Sequence, residues 1–159
     1  MIKITVISDT HGNPLAIDKM AQIILESDYV FHLGDGFEDM KYLAHVLGDK
    51  LYQVHGNCDW GDKKDVVVKI GERKVFATHG DLYGVKQGTN RLVQKAKEQG
   101  CSIAFYGHTH VAETREQNGV LLINPGTLHK FSTNKTFAYI VISGDKVIPT
   151  INDTFFAGK

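Results

Sequence analysis

Two cysteines, Cys58 and Cys101, are all that 159 residues contain. That is too few for a disulfide framework and fits a reducing compartment. Charge is in no surplus either, because 18 basic residues balance 18 acidic ones. The balance argues against a protein that coats nucleic acid or rides an anionic membrane on a polybasic face. No apolar run approaches the roughly 18 residues that a membrane-spanning helix needs. The opening segment Met1 to Ile7 is apolar but short, and it runs into Ser8-Asp9-Thr10-His11 without a basic leader or a small-residue cleavage site. A signal peptide is therefore not expected, and a soluble, cytoplasmic protein is. No linker, repeat or low-complexity stretch divides the chain. Residues 1–159 are expected to form a single domain, large enough to bury a core without metal or disulfide staples. The chain is rich instead in histidine (8) and glycine (16).

The first half reads as alternating strands and helices. Residues 2–8 are an apolar, β-branched run typical of a buried strand. Asn13 and Pro14 read as a helix N-cap and a first-turn proline, and the apolar stripe through Leu15, Met20, Ala21, Ile24 and Leu25 predicts a helix to about residue 26. A short strand at 29–33, a helix at 38–47 and a strand at 51–54 complete a βαβ pattern that implies parallel pairing. The second half changes character. Residues 66–70 and 74–78 flank Gly71-Glu72-Arg73 as a hairpin, and a helix is expected at 90–99 with Gly100 as its cap. Strands then crowd together at 103–106, 112–117, 120–123, 137–142 and 146–151, with turn signals at Asn118-Gly119 and Ser143-Gly144-Asp145. The expected class is α/β, with one mixed sheet or two packed sheets and helices outside.

Five of these strands end in a glycine beside a side chain able to bind metal. The ends are Asp9-Thr10-His11-Gly12, Gly34-Asp35-Gly36, Gly56-Asn57, His79-Gly80 and Gly107-His108-Thr109-His110. Ligands of open α/β sheets bind beyond the carboxyl ends of strands, so these groups are placed to converge. Asp9 and His11, like His108 and His110, are two apart and in extended backbone would project to one side. Seven donors result: Asp9, His11, Asp35, Asn57, His79, His108 and His110. One divalent ion needs three or four, so seven suit two ions roughly 3.5–4 Å apart, with Asp35, alone on its strand end, as the bridge. Mixed oxygen and imidazole donors suit manganese, iron, zinc, nickel or cobalt, and a cysteine-rich structural zinc set is absent.

These blocks, in order, resemble the signatures of calcineurin-like metallophosphoesterases. Gly56-Asn57-Cys58-Asp59 and the later Asn124-Pro125-Gly126 are similar to those of its small single-domain phosphodiesterases. The resemblance implies a four-layer αββα sandwich, two mixed β-sheets face to face with helices outside. It also implies a dinuclear centre of divalent transition-metal ions, manganese foremost. Asp9, His11 and His110 would hold one ion and Asn57, His79 and His108 the other, with Asp35 between them. Asn57, His108 and Asp9 would then act in catalysis through the metals. The implied reaction is hydrolysis of a phosphodiester by a metal-bridging hydroxide, whose formation at neutral pH follows from the lowered pKa of metal-held water. Many relatives carry a histidine where this chain has Cys58, and that histidine is thought to protonate the leaving group. A thiol is a poor acid for the task, so either substrates with good leaving groups or an acid from elsewhere are expected. Cys58 and Asp59 are further candidates for the site, Asp59 as a group that orients ligands, and Cys58 with packing favoured over catalysis.

The expected partner is a small phosphodiester, with no membrane and no extended nucleic-acid surface; self-association is left open. Three other readings are a phosphomonoesterase on the same centre, a non-catalytic scaffold of the same fold such as the retromer subunit, and a nuclease. Intact donors at all seven positions argue against the scaffold, and the short, uncharged chain against the nuclease. Of the other histidines, His32 is expected in the core and His45 on the surface or in packing, while His55 is expected to serve structure more than the site. Cys101 reads as a small hydrophobe. His129 and Lys130 read as a solvated loop before substrate contacts, and Trp60 as surface before a cleft wall. Phe155 and Phe156 would cover core or meet a partner.

Overall fold

The computed structural model describes residues 1–156. Ten strands and four α-helices follow in the order β1 (Ile2–Ile7), α1 (Pro14–Lys19), α2 (Ala21–Glu26), β2 (Tyr29–His32), α3 (Lys41–Leu47), β3 (Leu51–Gln53), β4 (Asp65–Ile70), β5 (Arg73–Thr78), α4 (Asn90–Glu98), β6 (Ile103–Phe105), β7 (Glu113–Gln117), β8 (Val120–Asn124), β9 (Phe137–Ser143) and β10 (Lys146–Asn152). They form two five-stranded mixed sheets, ordered β10-β9-β1-β2-β3 and β4-β5-β6-β8-β7. The βαβ segment supplies the parallel pairs β1–β2 and β2–β3, and the C-terminal hairpin adds β9 antiparallel to β1.

Side-chain alternation makes four layers. Val6, Phe31 and Ile140 of the first sheet meet Val75, Ile103 and Phe105 of the second in a core between the sheets. Their sequence neighbours point the other way, as the period of two demands. Ile7, Val30 and Phe137 pack under Ile17, Met20 and Ile24 of the helical side. On the far face Phe76, Ala104 and Leu122 are covered by Leu92, Val93 and Ala96 of α4. The αββα sandwich is the architecture. Cys101 packs in the α4 layer, and Phe155 and Phe156 cover the first helical layer.

Two helices differ from the pattern in the sequence. The stripe from 14 to 26 is not one helix: Met20, fully buried, takes φ −95° and ψ 3° and breaks it into α1 and α2. Asn13 does not cap α1 with its side chain; its Nδ2 donates instead to the Leu128 carbonyl at 2.7 Å, tying the first helix to a distant loop. The helix expected at 38–47 begins as a 3-10 turn, Phe37–Met40, before α3. Its entry is set by Gly36 at φ 139°.

Glycine is required where the loops after β2 and β3 touch. A Cβ on Gly34, at φ +101°, would lie 2.5 Å from the Gly56 nitrogen, and one on Gly56 would lie 2.2 Å from Asp35 Oδ1. Real side chains do not pack at such distances, so only this pair lets the Asp35 and Asn57 loops close on each other.

Candidate metal centre

The carboxyl ends of β1, β2, β5 and β6 meet at one end of the sandwich. Backbone hydrogen bonds stitch the loops together: Asp9 N donates to Gly34 O, His11 N to Asp35 O, and Gly107 N to His79 O, each at 2.9 Å. Six of the seven predicted donors come together here. Asp9, His11 and His110 place one donor atom each within 4.8 Å of one another, and so do Asp35, His79 and His108. Asp35 also groups with His11 and Cys58, which links the two sets. Asn57 lies on the adjoining loop and is exposed, its Nδ2 3.6 Å from Cys58 Sγ. It makes no hydrogen bond to the other six among the described residues.

The reason for convergence differs from the one the spacing suggested. The paired donors are not extended. Asp9, His11, Asp35, His108 and His110 all have positive φ, between 46° and 72°. Left-handed backbone is costly for residues with a Cβ, by about 1–3 kcal/mol each, and persists where the surroundings enforce it. It also separates the members of a pair. His108 joins Asp35 and His79, while His110 joins Asp9 and His11.

The donor set fits cations. His11 Nε2 and His110 Nε2 face each other at 3.3 Å, and His79 Nε2 and His108 Nδ1 at 3.1 Å. With lone pairs on both nitrogens of a pair, a cation between the rings would take both. His79 Nδ1 donates to the Leu33 carbonyl at 2.8 Å, which leaves Nε2 as the donor atom facing the site. Asp9 is fully buried, and its Oδ1 has no hydrogen-bond partner although three imidazole nitrogens stand 3.2–3.9 Å away. A buried carboxylate oxygen without a donor is expensive, and a divalent ion among those imidazoles satisfies it.

Electrostatics hold the carboxylates charged. Burial pushes the Asp9 carboxyl up, but His11, His110, the charge of His79 and the Ser8 hydroxyl overcome it and hold Asp9 far below the usual carboxylate range. Asp35 is also held low against its burial by His79 and by the Cys58 amide, which donates to Oδ1 at 2.8 Å. Burial and then the Asp35 charge push the Cys58 thiol up, so it stays protonated at neutral pH.

Around this cluster stand supports, among them Ser8 and Thr127, to which the sequence assigned no role. Ser8 Oγ donates to Asp9 Oδ2 at 2.5 Å and His108 N donates to the same oxygen at 3.0 Å. Thr127 Oγ1 donates to the Asp9 carbonyl at 2.7 Å. Asn124 gives its carboxamide to Gly107 O and Thr109 Oγ1, holding the loop that carries His108 and His110. Asp59 is not among the donors. Its carboxylate accepts four backbone N–H groups, from Asp35, Gly36, Phe37 and Gly56, at 2.7–3.1 Å. It therefore positions the Asp35 loop. Of the other histidines, His45 is exposed and His55 stacks on Phe37 with ring centres 4.1 Å apart. Trp60 is 99% exposed. His129 departs from the solvated-loop expectation: its ring lies 4.9 Å from that of His11.

His32 is a core histidine with a defined task. Gly34 N donates to its Nδ1 at 3.1 Å, so the neutral ring carries its hydrogen on Nε2, which faces Thr10 Oγ1 at 3.0 Å. Thr10 in turn donates to Asp39 at 2.5 Å, and Gly12 N donates to the same carboxylate oxygen at 2.9 Å. This relay pins Thr10 between Asp9 and His11. Burial pushes His32 down to about 4 from its ordinary 6.5, against the pull of Asp9, Asp39 and Asp59. Below pH 6.5 the unfolded chain takes up a proton that the folded protein refuses until about pH 4. Stability linked to His32 is therefore complete above pH 6.5 and is lost as pH falls towards 4. Between pH 7 and pH 5 the expected loss is roughly 2 kcal/mol. Urea unfolding of metal-free protein at both pH values should show this decline shrinking by that amount in His32→Gln; an unchanged decline would refute it.

The αββα sandwich thus gathers imidazoles and carboxylates at its strand ends, a donor set suited to divalent cations. The family model for the calcineurin-like phosphoesterase superfamily domain matches residues 2–146, and the chain belongs to that superfamily. It is 31% identical over 153 residues to the probable metallophosphoesterase YsnB of Bacillus subtilis, covering 94% of this chain and 89% of that protein. To the phosphodiesterase MJ0936 of Methanocaldococcus jannaschii it is 30% identical over 146 residues, covering 79% and 83%. Its fold is also similar to the crystal structure of a predicted phosphoesterase from Streptococcus pneumoniae, with a TM-score of 0.79, 26% identity and coverage of 94% and 88%. No helix among the described residues is long and apolar enough to cross a membrane.

Proposed function

We propose that the protein is a phosphodiesterase acting through two divalent ions. Asp9, His11 and His110 would hold one, and His79 and His108 the other with Asn57, while Asp35 lies between them. The observation that carries this reading is the partnerless, fully buried Asp9 Oδ1 among three imidazoles, beside a second group reached through Asp35. The similarity to a named phosphodiesterase supports it. Bound there, the ions would supply hydroxide at neutral pH and positive charge against the phosphate oxygens.

The chain's own groups do the positioning. Leu33 O fixes the His79 ring, Ser8 and the His108 amide orient Asp9, and Asn124 holds the loop of His108 and His110. The preference for diesters over monoesters rests on the similarity to a named phosphodiesterase. Two divalent ions bring +4 and Asp9 with Asp35 cancel −2. The surplus would attract a phosphate anion. The high thiol of Cys58 lies beside Asp35 and His11, and as a weak acid it would serve only leaving groups that need little help.

Full-length protein loaded in turn with manganese, nickel, iron, cobalt or zinc should hydrolyse bis(p-nitrophenyl) phosphate faster than p-nitrophenyl phosphate, and His79→Ala should not. No diester turnover above that control with any metal would refute the reading.

A further inference from the structure

Beyond the turn at Asn124-Pro125-Gly126 the chain carries a row of rings that the hydrolytic chemistry does not use. His129 is tied to the centre through Thr127, whose hydroxyl accepts from His129 N at 3.0 Å while donating to the Asp9 carbonyl. Its Nδ1 accepts from Phe131 N at 3.1 Å, which fixes the ring and leaves Nε2 to carry the hydrogen when the ring is neutral. The His129 ring centre is 4.9 Å from that of His11 and 6.3 Å from that of His110. Phe131 follows at 5.6 Å, inclined by 40°, and is 79% exposed. Lys130 Nζ lies 5.1 Å from the centre of the Phe131 ring.

We infer that His129, Lys130 and Phe131 form a subsite for an ester group of the substrate, and that this group carries a planar heteroaromatic ring of the nucleobase kind. The inference rests on the phosphodiesterase reading. A phosphate bound at the ion of Asp9, His11 and His110 would lie near the His129 ring, whose centre is 5.6 Å from that of Phe131. The π face of an aromatic side chain accepts any base by stacking, and a lysine beside it favours an anionic nucleotide. The neighbours of Phe131 in the loop, Lys130, Thr133 and Asn134, are exposed and polar, which suits a charged, hydrated ligand. The Phe131 N–H is held by His129 Nδ1, which sets the ring beside the centre with its face exposed to a ligand.

The test compares two esters with one leaving group: thymidine 5′-monophosphate p-nitrophenyl ester and methyl p-nitrophenyl phosphate. In manganese-loaded full-length protein, kcat/KM should favour the nucleoside ester by about tenfold, through KM. Phe131→Ala should bring that ratio close to one, and Phe131→Tyr should keep it. An unchanged ratio in Phe131→Ala, or an equal loss on both esters, overturns the subsite. Calorimetric titration with thymidine 5′-monophosphate and with inorganic phosphate separates the two readings. The nucleotide should bind about tenfold tighter than phosphate to the wild type but not to Phe131→Ala. Equal affinities in the wild type overturn the subsite and leave the hydrolase standing, whereas no turnover of either ester together with no binding of either ligand overturns both.

Discussion

Asp9→Asn is expected to lower diester turnover by about 10³-fold, roughly 4 kcal/mol of barrier, while leaving the fold intact. The substitution keeps shape and the acceptor for Ser8 and the His108 amide, so the β1 loop keeps its supports. What it changes is the oxygen among the three imidazoles, which becomes an amide nitrogen with no charge and no lone pair for a cation. Binding of metal should weaken with turnover. In the wild type, manganese at a hundred times its Kd adds about 2.7 kcal/mol of stability. For a domain of this size that raises Tm by roughly 5–10 °C. Asp9→Asn should lose the rise contributed by the ion among Asp9, His11 and His110 and keep only that of the second ion, although its metal-free circular dichroism matches the wild type. A variant that still binds manganese and still turns over at wild-type rate would contradict the role given to Asp9.

Asp59→Ala is expected to cost about 4 kcal/mol of stability, among the larger effects a single change can have. Its two oxygens satisfy four backbone N–H groups on two loops, and removal leaves those partly buried donors short of partners. Hydrogen bonds to a charged acceptor contribute about 1.5–3 kcal/mol each, and water recovers part of the loss. Asp59→Asn should fall between, since its amide nitrogen meets N–H groups as a donor against donors. The pH dependence has a defined sign. Burial pushes the Asp59 carboxyl up, but the four amides hold it below the usual range. Its contribution is present above the ordinary carboxylate value and is lost as pH falls through the lowered one. Urea unfolding of metal-free protein measures the loss; a midpoint within error of wild type for Asp59→Ala would refute the account of that loop.

Why these side chains meet was only partly legible in the sequence. β-branched runs and turn dipeptides are local signals, and the strands they mark lie within a few residues of their observed ends. Whether those strands form one sheet or two depends on pairings far apart in sequence, such as Val6 with Ala138. No local period encodes that choice; the resemblance to a family supplied it. The break at Met20 was hidden because the apolar stripe continues through it. The donors could be named from Gly-flanked Asp and His at strand ends. Their backbone could not, since positive φ at Asp9 or His110 is imposed by contacts such as Asp9 N with Gly34 O and Asn124 with Gly107 O. Asp59 had one legible trait, its place two residues after Asn57, and nothing in the residues between them foretells four backbone partners. His129 lies 118 positions after His11 in the chain, and only folding brings their rings together. The one sequence signal for it was a histidine soon after the Asn124-Pro125-Gly126 turn, a turn that the structure places against the centre.

The central claim is that one end of the sandwich holds a pair of cations. Crystals grown with manganese and measured for its anomalous scattering test it most directly. Two peaks per chain are predicted, one among Asp9, His11 and His110 and the other among Asp35, His79 and His108. A single peak, or none at these side chains, would contradict the account.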